Sequence, residues 1–85
     1  MRRMKREEAV SAPLGQCIRA QREARHLTQA ALAKLLRANV PTMSRVETGN
    51  RDLLVTEFVA LARAIGIRAS TLLRAAERKL GPTSL

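Results

Sequence analysis

The amino-acid sequence predicts an all-α fold, and three observations support this prediction. Apolar residues recur three and four positions apart, as they do along one face of an α-helix, for example at Leu32 and Leu36. Residues that begin or end helices bound these stretches: Thr28 and Asn39 precede two of them, and Gly49 follows. The two stretches that follow Thr28 and Asn39 are too short to form stable helices alone. We therefore expect several short helices that bury their apolar faces against one another.

Length and charge limit what the chain can be. Its 85 residues allow one small domain with a thin core, which would benefit from association with a second copy. The net charge is +9, and residues 1–45 contain ten basic and three acidic side chains against six and four in residues 46–85. Such a basic excess favours an anionic partner such as nucleic acid. The alternative is a solvated basic face that only keeps the protein soluble.

The sequence has no pattern typical of an enzyme, a metal site or a membrane protein. Cys17 is the only cysteine, so no internal disulfide can form, which fits a reducing cytoplasm. Cys17 and His26, the only histidine, are too few to hold zinc. No apolar run reaches the length of a signal peptide core or a membrane span. We therefore expect a cytoplasmic protein that is not an enzyme and uses no cofactor, metal or membrane.

Helix signals divide the chain into an arm, a domain and a tail. Residues 1–12 are charged and lack an apolar stripe, so we expect a flexible basic arm that either contacts a nucleic acid or makes no defined contact. Pro13 suits the first turn of a helix, and Gly81 ends the last one. The domain of residues 13–80 should contain helices at about 13–24, 28–36, 40–48, 55–64 and 69–80, before a frayed tail at 81–85. Phe58, the only aromatic residue, should anchor its core.

The third predicted helix has two unlike faces. At about 100° per residue, Met43, Val46 and Glu47 lie on one side, whereas Arg45 lies on the other. A carboxylate on the buried side needs a partner. Arg22, at the edge of the apolar face of the first helix, is the natural one. The alternative is that Arg22 and Glu47 are two unconnected surface charges.

At these residues a family resemblance becomes specific. The pattern TQxxLAxxL from Thr28, a short turn and the sequence MSRVETGNR from Met43 resemble the phage-repressor-like (Cro/XRE-type) helix-turn-helix family. With LGxxIRxxR upstream and FxxLAxAIGI downstream, the resemblance extends from Leu14 to Leu73. It implies a five-helix domain that places its third helix in the major groove of DNA. It also implies an ion pair between an arginine of the first helix and the glutamate of ExG, here Arg22 and Glu47.

The sequence departs from the family pattern at two turns and two helix starts. His26 and Arg37 stand where the family usually has Gly, and Leu54 and Arg68 stand where it usually has a capping Asp or Ser. If the two turn residues are left-handed, Arg37 costs on the order of 1 kcal/mol. The alternative is a reshaped turn, which would change the angle of the third helix.

The resemblance and the helix faces together predict the DNA contacts. Residues on the outer face of the third helix should face base edges; they are Val40, Pro41, Thr42 and Arg45. Residues at helix ends should contact phosphates; they are Gln29, Asn39, Thr48, Asn50 and Arg51. Arg45 is the main hydrogen-bonding candidate of the first group, because Val40 and Pro41 offer only apolar contact.

The last helix has an apolar stripe that extends beyond what so small a domain can cover. We expect a dimer interface at Leu73, Ala76 and Leu80, as the family often dimerises through carboxy-terminal helices. The predicted function is a homodimeric, sequence-specific transcriptional regulator on a palindromic operator. The alternative is an antitoxin that binds a partner toxin and represses its own operon. A third, weaker hypothesis is a restriction-modification controller, which has a similar size and fold.

Overall fold

The computed structural model describes residues 5–81, with side chains from residue 10 onward. These residues form five α-helices, and no strand occurs among them: α1 (Lys5–Ala24), α2 (Gln29–Leu35), α3 (Val40–Thr48), α4 (Val55–Ile65) and α5 (Ala69–Leu80). The prediction of an all-α, five-helix fold is therefore confirmed, and α2 to α5 lie within one residue of their predicted bounds. Within the described part of the chain, no helix is both long and apolar enough to cross a membrane.

The first helix begins at Lys5 rather than at Pro13, so residues 5–12 are helical and not a flexible arm. These residues, KREEAVSA, are mostly good helix formers. Two tertiary contacts also hold the added turns in place: Ser11 Oγ donates a hydrogen bond to Asp52 Oδ1 at 2.6 Å, and the Ala12 backbone lies against Gly49. Packing thus outweighs the cost of about 3 kcal/mol for a proline inside a helix. Residues 1–4 of the predicted arm and 82–85 of the predicted tail lie outside the described residues.

The core receives one large, fully buried side chain from each of the five helices. α1 lies against α5 and α3, and α2 lies against α3. The buried side chains are Ile18, Leu32, Met43, Leu61 and Leu72. Each contributes on the order of 1.5–3 kcal/mol by leaving water. Phe58 is only partly buried at the edge of this cluster, so the prediction that it anchors the core is wrong.

Candidate functional site

The ends of α3 are fixed by its flanking residues. At its start, Asn39 Oδ1 accepts a hydrogen bond from the Thr42 N–H at 2.9 Å, which caps the helix. At its end, Gly49 adopts a left-handed φ of 81°, and the Asn50 N–H donates to the Arg45 carbonyl at 2.8 Å. These bonds satisfy backbone groups that a short helix would otherwise leave unpaired. They give α3 defined bounds in spite of its few turns.

The two faces of α3 lie in different environments. Met43, Val46 and Glu47 are buried, with 2%, 4% and 5% of their surfaces exposed. The opposite side is exposed at Val40, Pro41 and Arg45, with Thr42 partly buried beside them. The Arg45 side chain makes no hydrogen bond or ion pair with another residue between 10 and 81. α3 thus presents to the outside two apolar side chains and one guanidinium that no described residue pairs.

A buried ion pair joins α1 to α3. Arg22 Nε lies 2.7 Å from Glu47 Oε2, and Arg22 Nη2 lies 3.1 Å from Glu47 Oε1. Arg22 Nη1 also donates to the Leu27 carbonyl at 2.6 Å. The hydrogen bond to Glu47 raises the pKa of Arg22, which outweighs the opposite effect of burial. The structure therefore brings together the two charges that the sequence pairs, and it uses them to fix the angle between α1 and α3.

Gln29 adds α2 to the same network. Thr28 Oγ1 caps α2 by accepting from the Ala31 N–H at 3.0 Å, and Gln29 Nε2 donates to Glu47 Oε1 at 3.0 Å. One N–H of the Gln29 amide is therefore used inside the domain, and the other remains for a second acceptor. The sequence predicts only the outward contact. The inward bond depends on the angle between α2 and α3, which no short motif specifies.

Both turns where glycine is replaced keep the left-handed conformation. His26 has φ 57° and Arg37 has φ 54°. In each turn the next N–H reaches back five residues: the Leu27 N–H donates to Arg22 O at 3.1 Å, and the Ala38 N–H donates to Ala33 O at 2.8 Å. The alternative of a reshaped turn is therefore wrong, and the backbone accepts a strain of about 1 kcal/mol at Arg37.

Thr48 and Asn50 stand together at the carboxyl end of α3. Thr48 Oγ1 donates to the Ser44 carbonyl at 3.0 Å and accepts from Asn50 Nδ2 at 3.0 Å. Both residues are exposed. The Asn50 amide keeps one N–H for an outside acceptor, whereas the single proton of the Thr48 hydroxyl is directed into the helix.

Arg51 lies in an ion pair that the sequence does not predict. Its Nη2 is 3.0 Å from Glu57 Oε2, and Glu57 Oε1 accepts from the Leu54 N–H at 2.9 Å. These hydrogen bonds, first that of Arg51, lower the pKa of Glu57. Leu54 cannot cap α4 with its own side chain, so Glu57 supplies the acceptor at the helix start. The sequence signal that could have indicated the role of Glu57 is an acid in the first turn of a helix that lacks a capping residue.

The backbones of α1 and α3 approach closely at Gly15. A Cβ built on Gly15 would lie 2.5 Å from the carbonyl oxygen of Glu47 and would also overlap that of Val46. Only glycine leaves room for this approach. The contact lies in the same interface as the ion pair of Arg22 and Glu47, and it completes the attachment of α3 to α1.

The apolar stripe of α5 is divided between the core and the surface. Ala76 is 2% exposed and belongs to the core, so its assignment to a dimer interface is wrong. Leu73 and Leu80 are 48% and 40% exposed. On a helical wheel Ala76 lies between Leu72 and Leu80, and the half of the stripe with Leu72 and Ala76 is buried in the core. The other half, with Leu73 and Leu80, remains open.

These features define a class of protein. α2, a short turn and α3 form a helix-turn-helix, with one side of α3 anchored in the core and the other exposed, as in DNA-binding domains that insert this helix into the major groove. The chain belongs to the helix-turn-helix domain family, whose family model matches residues 13–76. Within that family it is of the Cro/XRE type.

Solved structures of two other proteins are among those that resemble this one. The restriction-modification controller protein C.AhdI from Aeromonas hydrophila is 31% identical, with a TM-score of 0.73, and the match covers 76% of this chain and 94% of that one. The clp gene regulator ClgR from Corynebacterium glutamicum is 21% identical, with a TM-score of 0.81, and the match covers 85% of this chain and 92% of that one. At 21% identity the second likeness concerns the fold alone. No curated protein sequence matches significantly.

Proposed function

We propose that this protein is a sequence-specific, DNA-binding transcriptional regulator that acts in the cytoplasm as a homodimer on a palindromic operator. The observation that carries the proposal is the anchored α3, whose buried side is tied to α1 by Arg22 and Glu47 and whose outer side is free. A helix held in this way keeps its shape when it enters the major groove. The net charge of +9 favours approach to DNA.

The proposed contacts with bases come from the exposed side of α3. Val40 and Pro41 would touch apolar groups such as a thymine methyl, and Arg45 would donate two hydrogen bonds to a guanine. Thr42 is partly buried and its N–H is used by Asn39, so only its hydroxyl is available. Arg45 therefore supplies most of the hydrogen-bonding recognition in this proposal.

The proposed contacts with phosphates come from donors that the fold leaves unused. Gln29 and Asn50 each have one free amide N–H, and Asn39 has a free amide nitrogen because its oxygen caps α3. Arg51 would reach a phosphate with the N–H groups that Glu57 leaves free. Thr48 would accept a hydrogen bond from a water molecule that bridges to the phosphate, or its hydroxyl would rotate and donate to the phosphate directly. These contacts fix the register of the protein on the duplex.

A second candidate function has one observation in its favour. The likeness to a restriction-modification controller, at 31% identity over 94% of that protein, supports a regulator of that type. The antitoxin hypothesis has no comparable support, so a toxin is not proposed as a partner. A controller and another operon regulator would share the DNA-binding surface described above, and the operator sequence would distinguish them.

The experiment that tests the proposed function is selection from a pool of random duplexes with the purified protein. We expect enrichment of a palindromic sequence with half-sites about one helical turn, roughly 34 Å, apart. Recovery of an unenriched pool would overturn sequence-specific binding, and a motif without two-fold symmetry would overturn the homodimer.

Arg45→Ala should relax the preference for one base pair in each half-site. An arginine that reads guanine is worth about 1–3 kcal/mol against another base. The measurement is binding to a panel of singly substituted operators. Arg51→Ala should weaken all of them alike, as loss of a phosphate contact does. Arg63→Ala, which removes an exposed arginine from α4, is the control for charge alone. A uniform loss for Arg45→Ala would make Arg45 a backbone contact.

Leu80→Glu should weaken dimerisation and DNA affinity together. The change places a charge on the open apolar half of α5, where a second copy would cover Leu73 and Leu80. Sedimentation and operator binding are measured on the same samples. Thr71→Glu is the matched control, because this exposed residue lies about 180° from Leu80 on the same helix. A monomeric Leu80→Glu protein with full operator affinity would exclude this interface.

A further inference from the structure

We propose that Arg37, in the turn between α2 and α3, binds a DNA phosphate beside α3. This inference rests on the proposed DNA-binding function and adds to it a contact at a position where the family pattern has glycine. Three observations carry it: the backbone conformation of Arg37, its place next to the start of α3, and its lack of a partner among residues 10–81.

The backbone of the turn gives no reason for an arginine. Each of the five helices of the described chain is followed by a residue with positive φ, and three of these residues are glycine while the others are His26 and Arg37. Glycine adopts this conformation without strain, whereas arginine does not. Arg37 is exposed, so its side chain adds little to the core. The benefit that offsets the strain should therefore come from outside the chain.

The position of Arg37 places it beside the proposed DNA contacts. A cavity of about 450 Å³ lies between the turn, the start of α3 and α4, and its lining includes Arg37, Asn39, Thr42 and Arg51. Asn39 and Thr42 belong to the proposed phosphate and base contacts. Arg37 thus lines the same cavity as residues at the amino end of α3. A phosphate that approaches this end of α3 would come within reach of the long Arg37 side chain.

Among the charged residues that line this cavity, Arg37 is the cation that no described side chain neutralises. Glu57, the acidic residue of the cavity lining, is paired with Arg51 at 3.0 Å. The charges of Arg51 and Glu57 cancel, and the net positive charge of the lining is that of Arg37. The Arg37 guanidinium makes no hydrogen bond or ion pair with another residue between 10 and 81, so none of these residues uses its donors. Arg37 is better placed than Arg51 to bind a phosphate with a full set of N–H groups.

The test compares Arg37→Gly with a matched control, His26→Gly. Both changes place glycine at a left-handed helix end, so both should raise the midpoint of thermal unfolding. Binding of each protein to a fluorescent mixed-sequence duplex is measured by anisotropy over a range of KCl concentrations. Arg37→Gly should lose affinity by about tenfold at low salt. Its salt dependence should fall by about 0.9 units of slope for each protomer bound. His26→Gly should bind as the unmodified protein does.

Two further variants separate charge from flexibility. Arg37→Gln removes the charge and keeps a side chain, and it should lose the same slope as Arg37→Gly. Arg37→Lys keeps the charge and should retain most of the slope. Unchanged affinity and slope in both Arg37→Gly and Arg37→Gln would overturn the inference, and so would an equal loss in His26→Gly. If the unmodified protein does not bind the duplex, the proposed function itself fails. If it binds and the Arg37 variants bind equally well, only the role of Arg37 is wrong.

Discussion

Arg22→Ala should lower the free energy of unfolding by about 3–5 kcal/mol, because it leaves the Glu47 carboxylate buried without its ionic partner. Glu47 is 5% exposed and would keep only the single hydrogen bond from Gln29. The Leu27 carbonyl would also lose its donor, Arg22 Nη1. The change in the free energy of unfolding is measured by urea titration, with circular dichroism as the probe. Since small domains have only about 5–15 kcal/mol of stability, the variant is expected to be partly unfolded at growth temperature.

The control for this prediction lies on the same helix. Arg19 forms an exposed pair with Glu23 at 3.3 Å, with 63% and 54% of the two side chains exposed. Arg19→Ala should therefore cost no more than about 1 kcal/mol. The double variant Arg22→Met with Glu47→Leu leaves no buried charge and should recover part of the loss. A loss below about 1 kcal/mol for Arg22→Ala would mean that the pair is not buried.

Much of the fold could be predicted from the sequence because its helices have local signals. Thr28 and Asn39 cap α2 and α3 through their side chains, and Gly49 and Gly66 end α3 and α4. The predicted start of α1 was wrong because Pro13 is a local signal for a helix start, whereas tertiary contacts hold a helix that begins earlier. Contacts of residues 11 and 12 with the segment after α3 hold the additional turns, and those contacts join residues about forty positions apart in the chain.

The candidate site divides in the same way between local and tertiary information. Helical spacing places Glu47 inward and Arg45 outward, and no knowledge of neighbouring elements is needed for this. The bond from Gln29 to Glu47 and the pair of Arg51 with Glu57 depend on how separate elements meet. Ala76 was misplaced for a related reason: the stripe on α5 is continuous in sequence, and only the packing of α5 against α1 and α4 decides which half is covered.

Gly15→Ala should lower the free energy of unfolding by about 3 kcal/mol or more. At an exposed position inside a helix the same change would raise it by about 0.5–1 kcal/mol. The new Cβ would lie 2.5 Å from the carbonyl oxygen of Glu47 and 2.8 Å from its carbonyl carbon. These are backbone atoms of α3 and cannot rotate away as a side chain could. α1 and α3 would have to separate, and this would lengthen the bonds between Arg22 and Glu47 that span the same interface.

The sign of the change makes the Gly15→Ala experiment decisive. Gln16→Ala, at the next and exposed position of α1, should change stability by no more than about 0.5 kcal/mol. The separated helices already weaken the ion pair. The loss of stability in the double variant Gly15→Ala with Arg22→Ala should therefore be smaller than the sum of the two single losses. DNA binding should fall as well, since α3 loses its fixed angle to the rest of the domain. A Gly15→Ala protein as stable as the unmodified one would show that α1 and α3 do not approach this closely.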